Sequence, residues 1–82
     1  MQQQSDDMLL VQAILQGQHN CYAALVDKYQ FYVFTLVLRY IPDRGLAEEL
    51  AQDVFLKAFR CLADFKGNSK FSTWLYTIVN TT

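Results

Sequence analysis

The residues best placed to do chemistry in this 82-residue chain are not those of a catalytic centre. There is one histidine, His19, and no Ser-His-Asp arrangement, glycine-rich phosphate loop, HExxH pair or cofactor motif. The adjacent Glu48 and Glu49 diverge on a helix, so they read as a solvated face rather than a general acid and base. What stands out is the run from Leu46 to Phe59. At about 100° per residue, Ala47, Leu50, Ala51, Val54, Ala58 and Cys61 share one side, while Glu49, Gln52, Asp53, Leu56 and Arg60 lie opposite. A single apolar residue, Leu56, ringed by polar groups has the composition of a docking spot, although an exposed leucine is common on ordinary surfaces.

Four helices are needed to position that face. Met1 to Ser5 reads as a disordered polar tail, and the first helix starts near Ser5 or Asp6, with Asp6 and Asp7 at the positive end of its dipole. Leu10, Val11 and Ile14 form its apolar stripe, and Gly17 closes it in a left-handed cap. After Gln18-His19-Asn20, with Asn20 as cap, the second helix carries Tyr22, Leu25, Val26, Tyr29, Val33, Leu36, Val37 and Tyr40 at helical spacing. Phe31, Phe34 and Leu38 make it apolar on a second side. Either neighbouring helices cover both sides, or that patch meets another protein.

Pro42 ends the second helix and Asp43 is placed to cap the third, which extends to about Ala63. Asp64 to Lys70 is a turn by its Gly-Asn and Ser content. Ser69 or Ser72 caps a fourth helix with Phe71, Trp74, Leu75, Ile78 and Val79 inward and Thr73, Tyr76, Thr77 and Asn80 outward. That helix has no terminator, so the sequence reads as part of a longer protein. The predicted fold is all-α, a compact bundle of three to four helices over residues 6–82.

Composition narrows the functional classes. The chain is 52% hydrophobic and 18% charged, so one modest core forms and some apolar surface is left for a partner. Net charge is −1, which supplies no global attraction to nucleic acid. All seven bases lie after residue 27, however, so the later part is mildly positive. Cys21 and Cys61 lack zinc spacing. A disulfide between them is conceivable, but with no secretory signal or long apolar run, buried free thiols in a reducing cytoplasm fit better.

The run Glu-Glu-Leu-Ala-Gln-Asp-Val-Phe-Leu-Lys-Ala-Phe (48–59), followed by Phe-Lys-Gly-Asn-Ser-Lys-Phe-Ser-Thr-Trp-Leu-Tyr (65–76), resembles region 2 of bacterial sigma factors of the extracytoplasmic-function class. The resemblance implies that Glu49, Gln52, Asp53 and Leu56 dock on the basic coiled coil of the RNA polymerase β′ clamp. It further implies that the segment Phe65 to Phe71 and the start of the last helix read the promoter minus-ten element. In that class the loop captures a base flipped out of the stack, for which Phe65, Gly67, Asn68, Ser69 and Phe71 supply walls, backbone amides and hydrogen-bonding groups.

On that reading Lys66 and Lys70 each neutralise a phosphate, and Thr73, Tyr76, Thr77 and Asn80 face the strand. Phe65, at the loop edge, is the stacking residue, while Trp74 packs in the core. Two phosphate contacts give little affinity for duplex DNA, so the strand is captured when polymerase holds the promoter. Members of the class are often silenced by an anti-sigma factor, for which Leu56 and the Phe31/Phe34/Leu38 patch are contacts. The sequence departs from the family pattern at Gln18, Asn68 and Thr77. Two other readings stand beside this one: a sigma-like bundle that binds only a regulator, and a plain helical packing module.

Overall fold

The computed structural model describes residues 3–81, and side chains from Asp7 onward. Four α-helices run α1 (Gln3–Leu15), α2 (Tyr22–Tyr40), α3 (Arg44–Arg60) and α4 (Phe71–Asn80), with 3-10 turns at His19–Cys21 and Leu62–Asp64. The helix start expected near Ser5 or Asp6 thus falls inside α1, and Met1 and Gln2 lie outside the described residues. The all-α bundle expected from the apolar periodicity is the fold observed.

Each junction has a local cause. Gly17 takes φ +107°, and the Gly17 and Gln18 amides bond back to Ile14 and Ala13, which satisfies the last carbonyls of α1 in a Schellman cap. Proline at position 42 cannot continue α2. One residue later the Asp43 carboxylate accepts the Leu46 amide at 3.1 Å, capping α3. Two expected caps are absent: Cys21 rather than Asn20 precedes α2, and Lys70 rather than Ser69 or Ser72 precedes α4, neither with a side-chain bond. At the first site the chain enters α2 from a 3-10 turn with Cys21 already helical, and at the second the extended residue is Lys70, so no serine or asparagine holds the capping position.

α2 is the central element, touching α1, α3 and α4. Its Leu25, Val33, Leu36 and Val37 are buried, and Leu25, Val33 and Val37 share one core with Val11 and Ile14 of α1, Ala47, Ala51, Val54, Phe55 and Ala58 of α3, and Leu75 and Ile78 of α4. Small alanines on α3 permit close helix approach, and each larger side chain contributes on the order of 2 kcal/mol by leaving water. Neighbouring helices cover Phe34 and Leu38 in part but leave Phe31 at 73% exposure. Cys21 and Cys61 are free thiols and only half-buried, at the helix ends rather than in the core.

Candidate nucleic-acid and partner interface

On α3 the buried alanine face turns Glu49, Gln52 and Asp53 outward, all exposed, with Leu56 at 56% exposure. Leu56 is not isolated, as its sequence surroundings suggested. Phe59, three residues on and therefore on the same side, is also partly exposed, with its ring edge-on to His19 at 5.6 Å and tilted against Tyr22 at 4.9 Å. The Tyr22 hydroxyl donates to the Phe55 carbonyl at 2.5 Å. Burial holds that hydroxyl well above its ordinary pKa. These contacts stiffen the platform from below, so the acidic rim is presented on a rigid helix.

Next to this face, α2 and α3 form an open groove of about 460 Å³ whose lining includes Phe31, Phe34, Arg44, Glu48, Gln52 and Phe55. The Arg44 guanidinium lies 5.5 Å from the Phe34 ring, a distance suited to a cation–π contact. Gln52 belongs to both the rim and the groove.

Between α3 and α4 the aromatic residues are arranged differently from the expectation. Phe65 is 6% exposed and Phe71 2%, and their rings meet edge to face at 5.3 Å and 88°. Trp74 tilts against both at 5.5 Å, and Tyr29 reaches Phe71 at 5.5 Å. Phe65 therefore does not offer a free face for stacking, and the two phenylalanines fill each other's space instead of walling an open cavity. The reason is energetic: two rings at the ends of a short segment gain more from burial and quadrupolar contact than from solvent exposure. Trp74, half-buried in the same cluster, packs against the core as expected.

The residues between them are outside. Lys66, Gly67, Asn68 and Lys70 are exposed, and Ser69 is half-buried with its hydroxyl donating to the Lys70 carbonyl at 3.3 Å. Gly67 adopts φ +80°, the left-handed region that favours glycine. Among the described residues, the amides of 66–70 make no backbone hydrogen bond, and the first turn of α4 has no side-chain cap. A row of free N–H groups between two lysines suits an anionic strand or a base edge.

Along α4, Thr73, Tyr76, Thr77 and Asn80 are all exposed on one strip continuing from Lys70. Two of them have internal partners. Thr77 donates to the Trp74 carbonyl at 2.6 Å, and Asn80 Oδ1 accepts from the Tyr40 hydroxyl at 3.2 Å. Thr73 and Tyr76 are free to meet a ligand.

One polar cluster escaped the sequence. Asp7 reads with Asp6 as a charge at the helix dipole, but it is 3% exposed, and its carboxylate accepts from Lys28 Nζ at 2.7 Å and from the Tyr29 hydroxyl. Its spacing from Val11 and Ile14, one and two turns on, put it on the inward stripe from the start. The side chain of Asp6 lies outside the described residues.

With this geometry in place, the relatives are informative. The family model for Sigma-70 region 2 matches residues 25–82. The RNA polymerase sigma-H factor of Pseudomonas aeruginosa is 40% identical over 79 residues, covering 95% of this chain and 41% of the relative. The ECF RNA polymerase sigma-E factor of Escherichia coli K12 is 43% identical over 82 residues, covering 99% and 42%. This chain thus spans about two fifths of the length of those curated relatives. An NMR structure of an engineered region 2 of sigmaE in complex with GTAAAA superposes with a TM-score of 0.84 at 41% identity, over 99% of this chain and 84% of the other. The chain belongs to the Sigma-70 region 2 family, in its extracytoplasmic-function branch.

Proposed function

We propose that this chain is the domain of a transcription initiation factor that joins two ligands: core RNA polymerase through α3, and the non-duplex strand of the promoter minus-ten element through residues 66–70 and the α4 strip. The observation that carries the proposal is the pairing of an exposed acidic helix face with an adjoining loop of free amides and two lysines, in a fold whose 41%-identical neighbour is in complex with GTAAAA. Glu49, Gln52 and Asp53 meet the basic β′ clamp coiled coil, with Leu56 and Phe59 as the apolar centre. Lys66, Lys70, Thr73 and Tyr76 hold the strand, while Gly67, Asn68 and Ser69 present amides and side chains to an unstacked base.

Because Phe65 and Phe71 are packed together, base capture relies on hydrogen bonds and the loop backbone, with Phe65 and Phe71 as a buried floor. The domain acts by binding, without covalent chemistry, cofactor or metal. No helix among the described residues is long and apolar enough to cross a membrane. An anti-sigma factor that covers the groove at Phe31 and the Leu56 face would block docking.

The filled aromatic cluster favours one competing reading, a sigma-like bundle that binds a regulator and has no promoter activity. Retention on immobilised core polymerase separates the two. The wild-type chain is retained, and the Gln52→Ala/Asp53→Ala double substitution, both at exposed positions, loses retention while melting normally. Failure of the wild type to be retained, or equal retention of the double variant, overturns the docking assignment.

A further inference from the structure

The amides of 66–70 make no backbone hydrogen bond, and the Lys70 carbonyl, which accepts from the Trp74 amide at 3.1 Å, ties down the α4 end alone, so something else must hold the rest of the segment between the buried anchors Phe65 and Phe71. At Gly67, the second residue of the segment, the side of the backbone where a side chain would begin faces α1. A Cβ built there would lie 3.4 Å from Met8 Sδ and 3.7 Å from its methyl carbon, with no other residue beyond the chain neighbours within 4 Å. Met8 is half-buried against the core and immediately follows Asp7, whose carboxylate fastens that turn of α1 to Lys28 and Tyr29. α1 also touches the 3-10 turn Leu62–Asp64 that leads into the loop.

We propose that Met8 is a positioning residue for the strand-binding loop: its thioether, fixed in place by the Asp7 anchor, seats the Gly67 turn so that the amides of 66–70 face outward before any ligand arrives. The inference rests on the promoter-strand reading above. A loop already in its binding conformation avoids the ordering cost otherwise charged against affinity. The flexible thioether suits a close fit against a backbone that has no Cβ, because it adapts without a rotamer clash. Glycine at 67 serves both the left-handed backbone and this contact.

The test uses the 15N-labelled chain titrated with single-stranded GTAAAA, comparing wild type, Met8→Ala and Met8→Leu. Met8→Ala is expected to weaken binding about fivefold to tenfold, on the order of 1 kcal/mol of lost preorganisation. It is also expected to lower the order parameters of 66–70 toward roughly 0.6, while α2 stays near about 0.85. Retention on core polymerase stays unchanged, and Met8→Leu, of similar volume, restores both strand affinity and loop order. Should Met8→Ala fail to fold, Met8→Val shortens the side chain on the same apolar face and carries the same expectation. Unchanged affinity in Met8→Ala, weakened affinity with loop order intact, or no rescue by leucine overturns the positioning role alone. A wild-type chain that does not bind GTAAAA overturns the promoter-strand reading and this role with it.

Discussion

Replacing Asp7 with alanine tests whether α1 is held by one buried carboxylate. The Asp7 side chain is almost fully enclosed and accepts from both Lys28 and Tyr29. Its loss removes two charge-assisted hydrogen bonds of about 1.5–3 kcal/mol each at most. The Lys28 side chain is 36% exposed, however, so its ammonium regains water and that half of the cluster returns to roughly the 0–1 kcal/mol of a surface pair. The Tyr29 hydroxyl, partly buried, bears the larger loss, and the vacated volume adds a small cavity cost. The net expectation is about 2–3 kcal/mol, which for a domain of this size lowers Tm by on the order of 10–20 °C.

Urea unfolding followed by Trp74 fluorescence measures the loss. A double-mutant cycle with Tyr29→Phe then isolates the shared bond, with an expected coupling of about 1–2 kcal/mol. A cost for Asp7→Ala below about 0.5 kcal/mol, within the ordinary range for surface changes, or strict additivity with Tyr29→Phe, refutes the anchor.

Three other outcomes follow from the structure. Asp43→Ala removes the cap on the Leu46 amide and should cost about 1 kcal/mol in urea unfolding without changing the slope of the transition. Phe65→Leu should cost about 1–2 kcal/mol of stability yet leave GTAAAA affinity intact at temperatures where the variant is folded, whereas a stacking role would cost roughly 1–3 kcal/mol of binding. Burial raises the Tyr22 and Tyr29 hydroxyls above their ordinary value of 10.0, Tyr29 also through Asp7, so the folded chain keeps protons that the unfolded chain releases. Their contribution to stability is therefore fully present below pH 10.0 and is lost as pH rises beyond it, and Tyr22→Phe should flatten that decline in denaturant midpoints measured across the range.

Most of the scaffold was legible because its signals are local. Gly17, Pro42 and Asp43 act within one turn of their own positions, and the heptad-like spacing in α2 and α3 names a buried face without reference to any neighbour. The α3 rim was legible for the same reason, since exposure of Gln52 and Asp53 follows from the burial of Ala47, Ala51 and Val54 on the opposite side. What stayed hidden depends on partners distant in sequence. Phe65 reads as a loop residue until Phe71, Trp74 and Tyr29 are brought around it, and Asp7 reads as a helix-end charge until Lys28 and Tyr29 close over it. Met8 had no distinguishing sequence signal, because its role depends on the placement of a glycine fifty-nine positions away.

The most direct measurement is a titration of the 15N-labelled chain with single-stranded GTAAAA and, separately, with a scrambled hexanucleotide of the same composition, followed by amide chemical shifts. Saturable shifts are expected at residues 66–70 and along Thr73, Tyr76 and Thr77 with GTAAAA, with binding weaker by about tenfold or more for the scrambled strand, and none on the Glu49–Leu56 face. Equal response to both strands, or shifts centred on α3 with the loop silent, contradicts the promoter-strand reading.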